Sequence, residues 1–259
     1  VKKILIAFAA IPAIFWFIWM AFPATAIQSM IEHSVDGGSI AIEVRGLKKG
    51  FFYSLDIDRV ALKRLGVDVA SFDKIQSRIN PFGLLRMRLD ASMNGTMGSG
   101  KISGNAIFAK NELQARFDYK DVDMREMPFL EQTGIRGTGT ISGRFLMADD
   151  KGSLEFVTRN AAFEPADFSG VKVPMNIFND VTGSLAIEGN VIEVVSIFLV
   201  GKDIYARLKG VIKNSSTDLA MELMPGRSFL ENPLFLMEVG RYQVSPGYYV
   251  IPVRGKFSL

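Results

Sequence analysis

The chain has 259 residues, 48% of them hydrophobic and 22% charged, which excludes a disordered polymer and allows one large or two small domains. Its 30 basic and 27 acidic residues are interleaved around a net charge of +3, so no concentrated basic face for nucleic acid is expected. Cysteine is absent, which removes disulfides, thiolate metal sites and cysteine nucleophiles and leaves the compartment open.

The first predicted element is a membrane segment. Ile4 to Phe22 runs 19 residues without a charge after Lys2 and Lys3, close to the ~20 residues that a crossing helix needs. The stretch through Ile4, Phe8, Ile14, Trp16, Trp19 and Phe22 is therefore predicted to span a bilayer, with Trp16 and Trp19 at its outer interface. The two lysines would keep the N-terminus in the cytoplasm, which makes this a single-pass protein of a bacterial inner membrane with its bulk in the periplasm. Pro12 is tolerated in such a helix. Ala24-Thr25-Ala26 has the small-x-small form of a signal-peptidase site, so a cleaved signal peptide is the alternative; its usual apolar core of ~7–15 residues is shorter than this one. Either way residues 1–26 form a targeting segment and residues 27–259 an exported domain.

Beyond residue 40 the pattern alternates with period two, as in strands with one buried and one wet face. Leu85, Met87, Leu89, Ala91 and Met93 alternate with Arg86, Arg88, Asp90 and Ser92. Leu113, Ala115, Phe117 and Tyr119 alternate with Gln114, Arg116, Asp118 and Lys120. The same holds for Ile204 to Lys213 and for Ile251 to Leu259, where Pro252 marks an edge strand. Asn94-Gly95, Lys110-Asn111, Asp149-Asp150-Lys151-Gly152 and Gly189-Asn190 read as hairpin turns, which predicts an antiparallel meander. Gly100-Lys101-Ile102-Ser103-Gly104 recurs as Gly139-Thr140-Ile141-Ser142-Gly143, with a looser copy from Gly183 to Gly189. Short helices are expected at Ile27 to His33, continuing the membrane helix, at Met124 to Gln132 and at Phe229 to Val239. The predicted fold is mainly β: a membrane helix, then a repetitive antiparallel sheet folded over as a sandwich or an elongated trough so that its apolar face is not left open.

No catalytic constellation is visible. Gly95-Thr96-Met97-Gly98-Ser99-Gly100-Lys101 fits seven positions of a phosphate-binding loop, but Ile102 stands where a magnesium-binding hydroxyl is required and a strand follows where a helix should. The string is better read as a glycine-rich hairpin. His33 is the sole histidine, so neither a histidine triad nor a multi-histidine metal centre can form within one chain. Asp56 with Asp58, and Asp121 with Asp123, read as solvated faces rather than ligand pairs. No catalytic residue, cofactor or metal is assigned.

The order of these features carries a resemblance. Met127-Pro128-Phe129-Leu130 leads into the Gly-x-Ile-Ser-Gly strand, followed by a Gly-Ser-Leu-x-Ile strand, the apolar run Val191 to Val200 and the basic-apolar strand Ile204 to Lys213. The chain resembles the protein N family of the type II secretion system, in its variant related to AsmA-like envelope proteins. The likeness covers residues 120–259 and extends to the first half only in architecture. It implies a non-enzymatic, inner-membrane-anchored periplasmic component that works with other secretion-system proteins. The AsmA-like side implies instead an apolar β-trough that binds or transfers phospholipid.

Overall fold

The computed structural model describes residues 16–33, 40–64, 67–109, 112–127, 136–168, 171–173, 175–189, 191–213 and 216–256. Ile4, Phe8 and Ile14 of the predicted span lie outside them. The portion that lies inside departs from the expectation of one crossing helix. A helical turn over 16–21 closes with Phe22 N donating to Ile18 O at 3.0 Å, and Pro23, which has no N–H to continue the ladder, starts a separate helix, α1 (Ala24–Glu32). No helix among the described residues is long and apolar enough to cross a membrane. Nor does α1 prolong a membrane helix: Ile27 and Ile31, one turn apart on one face, are buried in the protein core.

The remaining chain is one large antiparallel sheet with a few short helices. The strands are β1 (Ile40–Arg45), β2 (Lys48–Lys49), β3 (Ser54–Arg64), β4 (Val67–Ile79), β5 (Leu89–Met97), β6 (Gly100–Ala109), β7 (Glu112–Asp123), β8 (Gly137–Ala148), β9 (Lys151–Phe163), β12 (Phe178–Glu188), β13 (Val191–Gly201), β14 (Ile204–Lys213), β15 (Ser216–Pro225), β16 (Gln243–Ser245) and β17 (Tyr248–Lys256). They run in that order across the sheet, except that β2 pairs only with β3 and the short β16 lies outside β17; β10 (Ala166–Phe168) and β11 (Val171–Val173) make a separate ribbon. Near-sequential order is what short hairpin connections enforce. The chain divides into two compact units, Val1–Phe117 and Asp118–Leu259.

In the first unit α1 covers the apolar side of the sheet. Ile27, Ile31 and Trp19 pack with Leu55, Ile57, Ile75, Leu89 and Ala106. Polar contacts fix the helix in register: Gln28 Nε2 donates to Val44 O at 3.1 Å, and Val44 N donates to Glu32 Oε1 at 3.1 Å. Two sequence expectations fail here. Leu85 and Met87 do not begin a strand but lie 57% and 66% exposed in the connection before β5. Asn80 accepts from Phe82 N at 3.1 Å and caps the short helix α2 (Pro81–Leu84), whose exit brings Arg88 N to Gly83 O at 3.0 Å. Asn94-Gly95 lies within β5, and the turn falls at Gly98-Ser99.

In the second unit the strand over Ile204 to Lys213 has the predicted bounds, and Pro252 lies beyond the Gln243 to Ser245 pairing that flanks Tyr248 and Tyr249, on a free stretch of edge. The expected helix at Met124 to Gln132 is a single 3-10 turn, Met124–Glu126, its end at Asp123 held by Arg125; residues 128–132 are not described. The Phe229 to Val239 stretch is two helices, α3 (Arg227–Leu230) and α4 (Pro233–Val239), with Pro233 opening the second. Positive φ at Asn160 and Gly139, where β8 and β9 shift register, marks a bulge that alternation alone does not reveal.

Candidate functional site: a graded apolar face

The pairing register of the second unit aligns its inward side chains into rows. The outermost row crosses the strands as Met147, Gly152, Ile187, Ile192, Ile212, Thr217 and Gly255. The second runs Phe145, Leu154, Leu185, Val194, Gly210, Leu219 and Val253, and the third Gly143, Phe156, Gly183, Ile197, Leu208, Met221 and Ile251. The innermost contains Ile141 opposite Thr158, then Val181, Leu199, Ala206, Leu223 and Tyr249.

Burial is graded across these rows. Every innermost residue is buried, whereas Met147, Ile187, Ile192 and Ile212 of the outermost row, Phe145, Leu154, Leu185 and Leu219 of the second and Phe156, Ile197 and Leu208 of the third are half-buried; Thr217, Val194, Val253, Gly183, Met221 and Ile251 are buried members of these outer rows. The connections explain the gradient. At the outer ends β8–β9, β12–β13 and β14–β15 are joined by two residues each, too few to fold back over the sheet. At the inner ends β13 and β14 are likewise joined by two residues, but the other connections insert 3-10 turns and helices, and Met124, Met127, Met175 and Val239 are buried there. One end of the apolar face is thus lidded and the other open. Thr217, the polar member of the outer row, is buried, and its hydroxyl has no hydrogen-bond partner among the described residues.

The recurring glycines sit under aromatic rings. A Cβ at Gly143 would overlap the Glu155 carbonyl oxygen and the Tyr119 phenol. One at Gly183 would overlap only the Phe156 ring, and one at Gly104 would meet the Arg116 carbonyl and Phe117. The equivalent glycines are therefore 104, 143 and 183, so the third copy aligns Gly183 with the last residue of the pentapeptide and not with its first. The Tyr119 hydroxyl donates to Glu155 O at 3.4 Å, and burial raises its pKa.

The opposite face is polar and laced with cross-strand ion pairs: Arg144–Asp118 at 2.7 Å, Lys151–Glu188 at 2.8 Å, Arg254–Asp218 at 3.0 Å and Lys209–Glu222. The Lys209 ammonium lowers the Glu222 pKa. The first three pairs are exposed and contribute about 0–1 kcal/mol each, so they favour one register more than they stabilise the sheet. One aromatic patch interrupts this face: Phe198 and Tyr205 lie 5.9 Å apart, Arg207 stands 5.4 Å over Phe198, and Val200 and Met224 beside them are exposed.

The residues singled out from the sequence have ordinary structural roles. The glycine-rich string at 95–101 forms the β5–β6 hairpin. His33 bonds the Ser29 carbonyl at 2.9 Å on the surface, Asp58 pairs with Lys48 at 3.7 Å, and Asp123 holds Arg125 at 2.6 Å. Of the predicted membrane residues, Trp16 is exposed and Phe22 packs at the core margin. Trp19 is 1% exposed, inside the first unit: its indole N–H donates to Gly50 O at 3.0 Å, Tyr53 lies 5.0 Å from its ring, and Lys49 Nζ stands 4.5 Å over it. The same ammonium donates to the Trp19 and Phe22 carbonyls, and desolvation lowers its pKa. No family model, curated protein or solved structure matches the chain.

Proposed function

We propose that the protein is a non-enzymatic, membrane-anchored envelope protein that holds lipid acyl chains on the open half of the second unit's apolar face. The observation that carries this reading is the burial gradient, in which large apolar side chains of the three outer rows, from Ile187 and Ile212 to Phe156 and Leu208, stay only half-buried while the whole innermost row is closed. Contiguous apolar surface of this kind marks a binding face. An acyl chain laid along it gains about 0.8 kcal/mol per buried methylene. On this reading the sheet is a trough and not a closed sandwich, and the uncharged residues 4–15, ahead of the 16–21 helix, attach it to the membrane.

A second reading, an accessory component of a type II secretion assembly, is favoured by the Phe198, Tyr205 and Arg207 patch, where aromatic rings and an arginine offer the composition of a protein-docking spot. The motifs that suggested that family have packing roles in the fold: Gly143 seats Tyr119, and Gly183 seats Phe156.

Native mass spectrometry of the detergent-extracted full chain, paired with a secretion assay on a deletion strain, separates the two. The trough predicts co-purifying phospholipid that is lost in an Ile187→Asn, Ile212→Asn double variant with an unchanged fold. Lipid-free protein with a secretion defect would favour the second reading, and lipid-free protein with normal secretion would remove both.

A further inference from the structure

We propose that one end of the first unit is a tip that inserts into the headgroup layer of an anionic bilayer. Three segments meet there. Ile79 N, at the entrance to the 80–88 connection, donates to Tyr53 O at 2.8 Å, and Gly50 O accepts the Trp19 indole, so the 50–53 turn stands between that connection and the end of the 16–21 helix. Lys49 ties the same turn to Phe22 O at 2.5 Å.

Each segment presents large apolar side chains to solvent. Phe51 and Phe52 are 76% and 79% exposed at the turn, Leu85 and Met87 are exposed on the connection, and Phe17 and Met20 on the helix are 68% and 60% exposed. Phe52, Tyr53 and Met87 adopt φ of +50°, +61° and +54°. Glycine or asparagine would take those conformations at less cost, so the aromatic and thioether side chains are not there to ease the turn. Exposed hydrophobic surface gathered from three segments marks an interaction site, unlike scattered single residues.

Two features select a bilayer over a protein groove. The chain enters this end from the uncharged residues 4–15, which lead directly into the 16–21 helix. Segments 46–53 and 80–88 carry Lys48, Lys49, Arg86 and Arg88 and no acidic residue of their own; Lys48 and Arg88 pair with Asp58 and Glu112 and Lys49 is turned onto the Trp19 and Phe22 carbonyls, so Arg86, between Leu85 and Met87, is the base presented here with no ion pair among the described residues. Phenylalanines flanked by bases suit the boundary between acyl chains and anionic headgroups. The tip rests on the membrane-anchored part of the proposed function and is independent of whether the second unit carries lipid.

The absence of cysteine allows single-site labelling. The full chain would be reconstituted into vesicles of phosphatidylcholine and phosphatidylglycerol with an environment-sensitive fluorophore at Phe52→Cys, Met87→Cys or, as a reference on the second unit's β8–β9 turn, Asp150→Cys. All three positions are exposed, and thermal melts would establish that each variant folds. Blue-shifted emission at 52 and 87, quenched by nitroxide lipids and shielded from iodide, with iodide-accessible emission at 150, is the expected result. Iodide access at 52 and 87 equal to that at 150 would overturn the tip, and so would shielding there that nitroxide lipids do not quench, which would indicate a protein cover. Loss of lipid in the mass-spectrometric experiment with quenching intact would remove the trough and leave the tip standing.

Discussion

Trp19 provides the sharpest test of how the chain leaves its apolar N-terminal stretch. A tryptophan at a membrane interface is held by lipid and contributes little to the stability of the folded part, whereas Trp19 in the structure is enclosed by protein. Removing a buried tryptophan to alanine costs about 3–5 kcal/mol through lost transfer and cavity formation. Loss of its bond to Gly50 O contributes a further ~1 kcal/mol, and loss of the Lys49 ammonium over its face about 0.5–1 kcal/mol. These terms overlap, so Trp19→Ala should destabilise the first unit by about 4–5 kcal/mol. At a urea slope of ~2 kcal/mol per molar, that lowers its midpoint by roughly 2 M. Trp19→Phe keeps a ring but orphans the carbonyl and should cost roughly 2 kcal/mol. The half-exposed Trp16 should tolerate alanine with a change within about 0.5 kcal/mol. Urea titration of the full chain in mild detergent, followed by far-ultraviolet circular dichroism, reads all three. In a Trp16→Phe background the emission of Trp19 reports the same transition directly. Small, equal shifts for Trp16→Ala and Trp19→Ala would refute the reasoning and return both residues to the membrane interface.

Two further predictions concern the second unit. Gly183→Ala meets only the Phe156 ring and should lose about 1–3 kcal/mol of thermal stability, largely recovered by Phe156→Leu; Gly143→Ala meets the Glu155 backbone carbonyl as well, so Tyr119→Leu should fail to rescue it. Equal rescue at both sites would mean that the glycines are not seats for their rings. Leu223→Asp, in the innermost row, should cost about 4 kcal/mol by burying an unpaired charge, whereas Asp218→Ser breaks only the exposed pair with Arg254 and should change the melting free energy by less than about 1 kcal/mol. Similar losses in denaturant titrations would show that the two faces have been exchanged.

Period-two alternation was legible because it is local. Ile204 to Lys213 could be bounded from its own residues, and its inward set, Ile204, Ala206 and Leu208, faces the core side as expected. The same local rule failed at Leu85 to Arg88, where alternation survives in a connection and Asn80-Pro81, a cap followed by a first-turn proline, was the overriding signal. Trp19 was misplaced because an uninterrupted apolar run obscures which of its residues will meet protein; Pro23 indicated only that the run must break. The third repeat was aligned four residues off because what recurs is a glycine beneath a ring from a neighbouring strand, a contact absent from the linear string. The candidate site was the least legible part. Alternation assigns Ile187 and Leu199 to one face alike, yet the first lies at the ends where β8–β9, β12–β13 and β14–β15 all turn in two residues, and the second at the opposite ends, where every connection but the β13–β14 turn carries 3-10 turns or helices.

The make-up of the open rows bears on what they can hold. Ile187, Ile192 and Ile212 stand side by side on adjacent strands, and β-branching leaves each few rotamers, so this stretch of the outer row behaves as a fixed shelf instead of collapsing on itself. Glycines interrupt the shelf and the row behind it, Gly152 in the first and Gly210 in the second, lowering the surface between ridges of large side chains. A flat protein partner would leave those gaps unfilled and forfeit the contact that close packing supplies. A slender, flexible chain can follow them. The innermost row cannot serve in the same way, because Tyr249, Leu223 and Leu199 are already enclosed and a ligand there would have to displace protein. Occupancy should therefore be confined to the rows outside it. That confinement is why the double substitution at Ile187 and Ile212 is expected to remove bound lipid without unfolding the sheet, and why Leu223→Asp, in the innermost row on β15, is expected to unfold it.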